Sequence, residues 1–357
     1  MLNLNKSKLK VVGVLAVQTI ILSGITLFAV FPFSCKITQE GIEIIGGDYT
    51  PPSIVDFSVI DDKTVKMNFS DAVKLNEVIV SNNTDKIKAD VEYIDDKNSV
   101  LFKFEKETKI GNRYELFGVV EDKIGNTLTF CIPFTGYNSK LPKIVMTEVQ
   151  IKKGTGKENG VEVFRGEFVE LLALENGNLV GLELHSASDG VAKKYVFSPV
   201  EVKKGEILVV HLRKAGDGCI NETVNLDEAT APFSKNGVRD LWSDNTGARF
   251  NDTFDVIYLR NSVSDKIVDA LMYAQPSVSE WKSNVSEVVE EVVKSGIYSD
   301  GSIDNAVSSK GCSALKSLTR TDARAIYNDL TNGGVISYPC KCNSNTWEIK
   351  PVSPGIL

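Results

Sequence analysis

The sequence predicts an all-β chain of two β-sandwiches in tandem, the second carrying a helical insertion, behind an N-terminal signal or anchor helix. Three observations carry this prediction. From residue 51 onward apolar residues alternate with polar ones, the period of a strand with one buried face. The runs are short, recur at roughly ten-residue spacing and are separated by Asp, Asn and Gly turns, which is how a sandwich reads in sequence. Ahead of them, Lys6, Lys8 and Lys10 precede an uncharged, largely apolar run from Val11 to Phe33.

A basic start followed by an apolar run is the opening of a secretory signal. Its positive flank stays cytoplasmic, and the chain beyond the apolar run is exported. The run is close to the ~20 residues that span a bilayer. Residues 11–31 therefore act either as an uncleaved anchor or as part of a signal, 1–34, that is removed. Ser34-Cys35, a small residue and a Cys after an apolar run, resembles the lipobox of bacterial lipoproteins. Phe31-Pro32-Phe33 departs from the Leu-then-small pattern of that motif. The resemblance implies that Cys35 becomes a lipidated first residue, and several acyl chains anchor stably where one binds marginally. Either route tethers the body to a membrane, with residues 35–50, carrying Gly41, Gly46 and Gly47, as the tether.

Residues 51–138 contain the first set of strands. Val65, Met67 and Phe69 alternate, and Val91 and Tyr93 lead through the turn Asp95-Asp96-Lys97-Asn98 to Val100, Phe102 and Phe104. Tyr114, Leu116 and Val120 precede the turn Asp122-Lys123-Ile124-Gly125-Asn126, and Leu128, Phe130, Ile132 and Phe134 close the set. Pro51, Val65-Lys66-Met67-Asn68-Phe69-Ser70, Tyr114-Glu115-Leu116 and the Asp122–Asn126 turn resemble the bacterial Ig-like repeat of surface-layer proteins. The resemblance implies an Ig-like sandwich. Gly136 to Pro142 reads as a linker.

Residues 139–357 resemble the lamin-tail domain, an Ig-type sandwich, in matches that run in order along the chain. Val145-Met146-Thr147-Glu148-Val149 opens it, and Glu167-Phe168-Val169-Glu170-Leu171 is its aromatic-apolar-Glu-Leu strand. Leu179-Val180-Gly181-Leu182-Glu183-Leu184 is similar to its Leu-x-Gly-x-x-Leu strand, with Glu183 in place of an aromatic. Lys204-Gly205-Glu206 precedes the apolar run Ile207 to Leu212, and Asp255 to Leu259 with Ile267 to Tyr273, including Asp269, fits its hairpin. Ser317-Leu318-Thr319-Arg320, Trp347 and Ser353-Pro354-Gly355 fit its C-terminal signature. The resemblance gives Glu148, Glu170, Leu171, Gly181, Gly205, Asp269 and Trp347 structural roles, with 213–250 and 274–316 as insertions. Within the second insertion Val285, Val288, Val289, Val292 and Val293 keep helical spacing. Asn284 with Glu287 reads as a capping box, and Lys294 with Gly296 closes the helix, whose valine stripe is expected to pack on the sandwich. A second short helix is expected near Asp322 to Leu330.

The same residues offer little chemistry. The chain has two histidines, His185 and His211, and no Gly-x-Ser-x-Gly, phosphate-loop or His-Glu-x-x-His motif. Glu148, Glu167, Glu170 and Glu183 recur along strands and read as a solvated sheet face instead of an acid pair. Asp122 with Asn126, and Asp244, Asn245, Asn251 and Asp252, read as turns and not as cation sites. No catalytic residue, metal or cofactor is expected. With Cys35 assigned to lipid, Cys219, Cys312, Cys340 and Cys342 are the disulfide candidates of an exported chain, with zinc at Cys312, Cys340 and Cys342 as the rival. Cys131 is left over, as a small buried side chain.

The formal charge of −7, with +3 in the first 34 residues, leaves −10 on the body, which disfavours nucleic acid as a partner. The resulting expectation is a cell-envelope, membrane-anchored lipoprotein at the outer surface or in the periplasm. It is non-catalytic and binds a protein or glycan partner. The alternatives are an accessory of an envelope hydrolase or nuclease system, and a self-associating surface-layer component.

Overall fold

The computed structural model describes residues 49–357 apart from 84, 159, 189–193, 215 and 245–249. Cys35, the 11–31 stretch, the tether to residue 48 and Asn245 lie outside the described residues. Among the described residues no helix is long and apolar enough to cross a membrane.

The alternating runs of 51–138 become eight strands: β1 (Ile54–Val59), β2 (Thr64–Phe69), β3 (Lys74–Asn82), β4 (Asp85–Ile87), β5 (Ala89–Ile94), β6 (Ser99–Phe104), β7 (Arg113–Glu121) and β8 (Thr127–Thr135). They pair as two four-stranded sheets, β1-β2-β6-β5 and β4-β3-β7-β8. That order is the Ig arrangement, with β4 as an added edge strand. Period-two alternation sends Val65, Met67, Phe102, Leu116, Val120 and Phe130 inward to one core. Phe134 stacks there against Phe104 and Tyr114 at ring separations of 5.8 and 5.5 Å. Gly118 is required by this packing, because a Cβ would lie 2.4 Å from the Phe130 ring. The same alternation corrects one expectation. With Phe130 inward, Cys131 points outward and is exposed, so it is not a buried side chain.

The second region supplies β9 (Ile144–Gln150), β10 (Gly154–Glu158), β11 (Val161–Arg165), β12 (Phe168–Ala173), β13 (Gly177–Asn178), β14 (Leu182–Ser186), β15 (Tyr195–Val196), β16 (Glu201–Val202) and β17 (Ile207–His211). It continues with β18 (Arg239–Trp242), β19 (Phe254–Asn261), β20 (Lys266–Ala274), α1 (Ser283–Lys294), β21 (Val307–Ser308), β22 (Lys316–Arg320), α2 (Ala323–Thr331) and β23 (Trp347–Pro351). A six-stranded sheet, β18-β17-β12-β9-β22-β23, faces a five-stranded one, β15-β14-β19-β20-β21. Met146, Val169, Leu171, Leu182, Leu208, Ile257, Leu271 and Leu318 fill the space between them. The fold is thus all-β, two tandem Ig-like sandwiches, the second carrying α1 in its second insertion and α2 after β22.

Both outer faces of the second sandwich are covered. The valine stripe of α1 packs through Val285, Val289 and Val292 on Val256, Tyr258 and Met272 of the five-stranded sheet. The helix begins two residues earlier than a capping box at Asn284 requires. Lys282 is its N-cap without a side-chain bond, and Asn284 Nδ2 donates to Ala187 O at 3.4 Å instead. On the six-stranded sheet, Ile326 and Leu330 of α2 cover Val145 and Leu172, while Val238 and Phe233 of the first insertion cover Phe168 and Val209. The 152–160 loop is in fact the start of a hairpin, β10 with β11. The first insertion ends in β18, which joins β17 in parallel and is fed by the long crossover that parallel pairing needs.

Candidate functional site

The segment read as a linker is fastened to the second sandwich. Asn138 Nδ2 donates to the carbonyls of Asn178 (2.7 Å) and Val180 (2.8 Å), and Asn138 Oδ1 accepts from Lys140 N at 2.9 Å. Gly111, at φ +76°, brings the β6–β7 turn against Pro199, where a Cβ would meet the ring at 2.2 Å. These contacts leave a groove of about 520 Å³ between the two sandwiches. Phe57 and Val59 of β1 form one wall, and Val180, Val196, Phe197 and Val263 the other, with Tyr137 and Asn138 also lining it. None of its fifteen lining residues is charged, in a chain in which 24% are. Val196 and Val263 remain 56% and 62% exposed. β1 and β15 are each the outermost strand of their sheet, so the groove runs between two strand edges. A second depression, about 480 Å³, carries Asp265, Lys266, Glu291 and Lys294 and so lacks this uncharged character.

The acidic residues overturn the solvated-face expectation. Glu148, Glu167, Glu170 and Glu183 are all buried, and Glu148 and Glu170 lie under residues 353–355, a cover that alternation alone does not show. Glu148 and Glu170 are register partners on β9 and β12. Glu148 accepts from Ser317 Oγ (2.5 Å), Ser353 N (3.0 Å) and Ser353 Oγ (3.3 Å). Glu170 accepts from Thr147 Oγ1 (2.6 Å) and Gly355 N (2.5 Å). Burial pushes the Glu148 carboxyl above its ordinary range, and burial together with the neighbouring Glu148 charge takes Glu170 up to about 7. The Ser353-Pro354-Gly355 signature is therefore the strap over this pair. Glu183, further away, bonds His185 Nε2 (2.9 Å) and Lys194 Nζ (2.7 Å).

Asp269 sits at another buried junction. Its Oδ2 accepts from Met146 N at 2.6 Å, and Oδ1 is 3.9 Å from Arg320 Nη1. Burial pushes this carboxyl up to about 6, against the pull of the guanidinium. Arg320, wholly buried, also donates to Asp322 Oδ1 (2.7 Å), Cys342 Sγ (3.2 Å) and Lys341 O (3.1 Å), and lies 5.9 Å from the Trp347 ring centroid. Leu171 belongs to the central core, and Gly181 (φ +91°) and Gly205 (φ +84°) occupy turns that their conformation reserves for glycine.

Both histidines are buried between a carboxylate and an aromatic ring. His211 is buried, with Nε2 2.5 Å from Asp240 Oδ1 and its ring stacked 3.8 Å from Trp242. His185 stacks 4.8 Å from Tyr258. Burial lowers both imidazoles below their ordinary value. The partner of each Nε2 is a carboxylate and not a nucleophile.

The cysteine pairing also departs from expectation. Cys131, Cys312, Cys340 and Cys342 are free thiols, and Cys219 is half-buried in the first insertion. The physical reason is placement: Cys312, Cys342 and Cys340 pack in three different apolar clusters. Burial pushes their thiols up to about 11, 12 and 11 respectively, which leaves them protonated and unreactive. Among the described residues no three His, Cys, Asp or Glu side chains converge as metal ligands. Asp122 is used up by its own turn, accepting from Ile124 N, Asn126 N and Asn126 Nδ2. Asp244 pairs with Lys214.

Sequence reading missed two features. The groove has no local signal, since Phe57, Val196 and Val263 lie far apart in the chain. Glu222, in the first insertion, is 1% exposed and accepts from the backbone N–H groups of Glu228 (2.8 Å), Ala229 (2.9 Å) and Asp240 (2.9 Å).

A family profile described as TP_1001_2nd, protein second domain, matches residues 142–349. An uncharacterized protein of Treponema pallidum (strain Nichols) is 27% identical over 188 residues, 51% of this chain and 44% of that relative. The match thus spans less than half of that relative's length. Among solved structures, a DUF4876 family protein from Bacteroides thetaiotaomicron is 13% identical with a TM-score of 0.34, covering 78% of this chain and 91% of that one. The S-layer protein SbsC is 12% identical with a TM-score of 0.24, covering 62% and 40%. Likeness at that level fixes neither a shared fold nor a function.

Proposed function

The chain belongs to the TP_1001 protein second-domain family, and on that premise we propose that it is a non-catalytic, membrane-tethered binding module of the cell envelope. The observation that carries this reading is the uncharged groove between two strand edges, with Val196 and Val263 left open to solvent. Exposed apolar side chains rimmed by neutral polar ones favour a partner that brings an uncharged, apolar segment in extended form. Glycans are served less well, because the groove offers no carboxylate or amide cluster beyond Asn138 to hold sugar hydroxyls. The 142–349 region is, on this reading, a lamin-tail-type sandwich on an Ig-like spacer, divided near residues 138–139.

The groove is tested in living cells with a photo-crosslinking phenylalanine analogue at Val196 or Val263, and at Val335 as a control that is 98% exposed elsewhere. A discrete adduct at both groove positions, absent at Val335 and lost from position 263 on V196D, supports the reading. Equal labelling at all three positions, or none, overturns it.

The tether is a separate expectation. Intact-mass analysis of the native N-terminus should find residues 1–34 gone and an acylated Cys35. An unmodified chain that still begins at Met1 would place the hold on the membrane in the 11–31 run instead.

A further inference from the structure

On the reading of the groove as the binding site, we propose that it takes its partner by strand addition: an extended, uncharged segment of another protein hydrogen-bonds to the free edge of β1 through the backbone of Phe57 and Val59. The hydrogen-bond pattern of β1 decides which way its backbone points. Ile60 N donates to Thr64 O at 2.9 Å, so with Ser58 opposite Lys66 and Asp56 opposite Asn68 the even residues bond to β2. Phe57 and Val59 stand opposite Met67 and Val65 at the intervening positions, where N–H and C=O turn away from the neighbouring strand. Strand β2 agrees: Phe104 N donates to Lys63 O and Phe69 N to Asn98 O, which commits its odd residues to β6.

The facing wall repeats the arrangement. Phe197 N donates to Leu182 O at 3.2 Å, which leaves the N–H and C=O of Val196 turned away from β14. Among the described residues none of the six outward groups of Phe57, Val59 and Val196 has a hydrogen-bond partner, and all three residues line the groove.

Four other edge strands are blunted against such pairing. Pro133 of β8 and Pro351 of β23 stand at positions whose backbone faces outward, and neither has an N–H to offer. Edge strand β5 carries Asp90 and Glu92, and β4 carries Asp85 and Lys86. Charges and prolines keep sheet edges from pairing with other chains. From Phe57 to Val59 strand β1 has neither, and no residue lining the groove is charged. A charged side chain brought there would lose water without finding a counter-ion, which selects an uncharged partner. Main-chain pairing is met by any residue with an N–H, so the partner's sequence is read loosely, with proline excluded where a donor is needed.

The test uses the full chain with the photo-crosslinking analogue at position 263, irradiated in cells and purified in detergent as its adduct, beside the unirradiated chain. Residue-resolved hydrogen–deuterium exchange should find Ser58 protected in both, because it bonds to Lys66. Phe57 and Val59 should gain protection only in the adduct, by about tenfold or more. V59P removes an outward N–H without touching a ladder bond to β2, and should abolish the adduct while the first sandwich still melts cooperatively. If V59P does not fold, replacing Val59 by its α-hydroxy acid exchanges the same N–H for an ester oxygen, and should lower the yield roughly fivefold, the loss of one hydrogen bond. Peptide mapping should place the crosslink in an uncharged stretch of another protein. A crosslink to this chain itself, within one copy or to a second, overturns the proposal. So does an adduct whose Phe57 and Val59 amides stay unprotected, or one that forms undiminished when the Val59 N–H is removed; the groove then binds, but not through β1. No adduct at 263 in the otherwise unaltered chain would overturn the groove itself as the binding site, and strand addition with it.

Discussion

Replacing Arg320 with alanine is expected to cost about 3–5 kcal/mol, the range for breaking a buried ion pair from one side. Several losses fall together. Asp269 loses its cation and is left buried with only backbone donors, so its carboxyl is pushed further up and must take a proton, and the partners of the guanidinium on Asp322, Cys342 and Lys341 are stranded. The side chain is also among the largest wholly buried ones, so a cavity adds to the electrostatic term. At about 2–4 °C per kcal/mol for a unit of this size, the melting midpoint should drop by roughly 10 °C. A double-mutant cycle separates charge from volume. R320M leaves Asp269 buried without its cation, whereas D269N with R320M removes both ionisable groups while an amide oxygen still accepts from Met146 N. The double variant should therefore be more stable than the two single costs added together. Strict additivity would mean that the 3.9 Å approach carries no coupling and that Arg320 acts only through packing.

The second large effect lies in the first insertion. Glu222→Ala removes the acceptor of three backbone N–H groups, of which Asp240 N is buried and left unsatisfied at about 1–3 kcal/mol, while those of Glu228 and Ala229 are part-buried and open to water. The expected cost of about 2–3 kcal/mol should be local. Asp240 N is one of the three donors, and β18 is held to β17 through residues Arg239–Trp242. Freed from Glu222, β18 should peel away and carry Trp242 off the His211 ring. The readouts are a red shift in tryptophan emission and new protease cuts between residues 216 and 242, while the first sandwich melts unchanged. E222Q should fall between wild type and alanine. Its oxygen can serve the Glu228 and Ala229 N–H groups, but its amide then points a donor at Asp240 N. A fully stable E222A would show that Arg239, bonded to Glu206 Oε1 and Glu222 O, holds the insertion without the carboxylate.

Legibility differed between the two regions for a physical reason. In the first, each strand has one covered and one open face, so the alternation in Val65-Met67-Phe69 or Phe130–Phe134 states its own burial. In the second, β9 and β12 are buried on both faces, and alternation no longer says what meets water. Helix α1 was readable because its stripe keeps a 3.6-residue period whatever it packs against. Its cap was not, since the choice between Lys282 and Asn284 was made by the Ala187 carbonyl on a distant turn.

By itself the sequence determined the all-β class, the strand runs, both helices and the basic-then-apolar N-terminal stretch. These come from local period and local charge, which need no partner. The tertiary structure decided what covers each face: that four glutamates are buried, that three cysteines occupy separate cores, and that Glu222 organises an insertion. It also decided that two strand edges leave an uncharged groove between them. Each of these depends on residues brought together from far along the chain. Burial, which sets the energy of a charge or a thiol, is a property of that meeting and not of either residue alone.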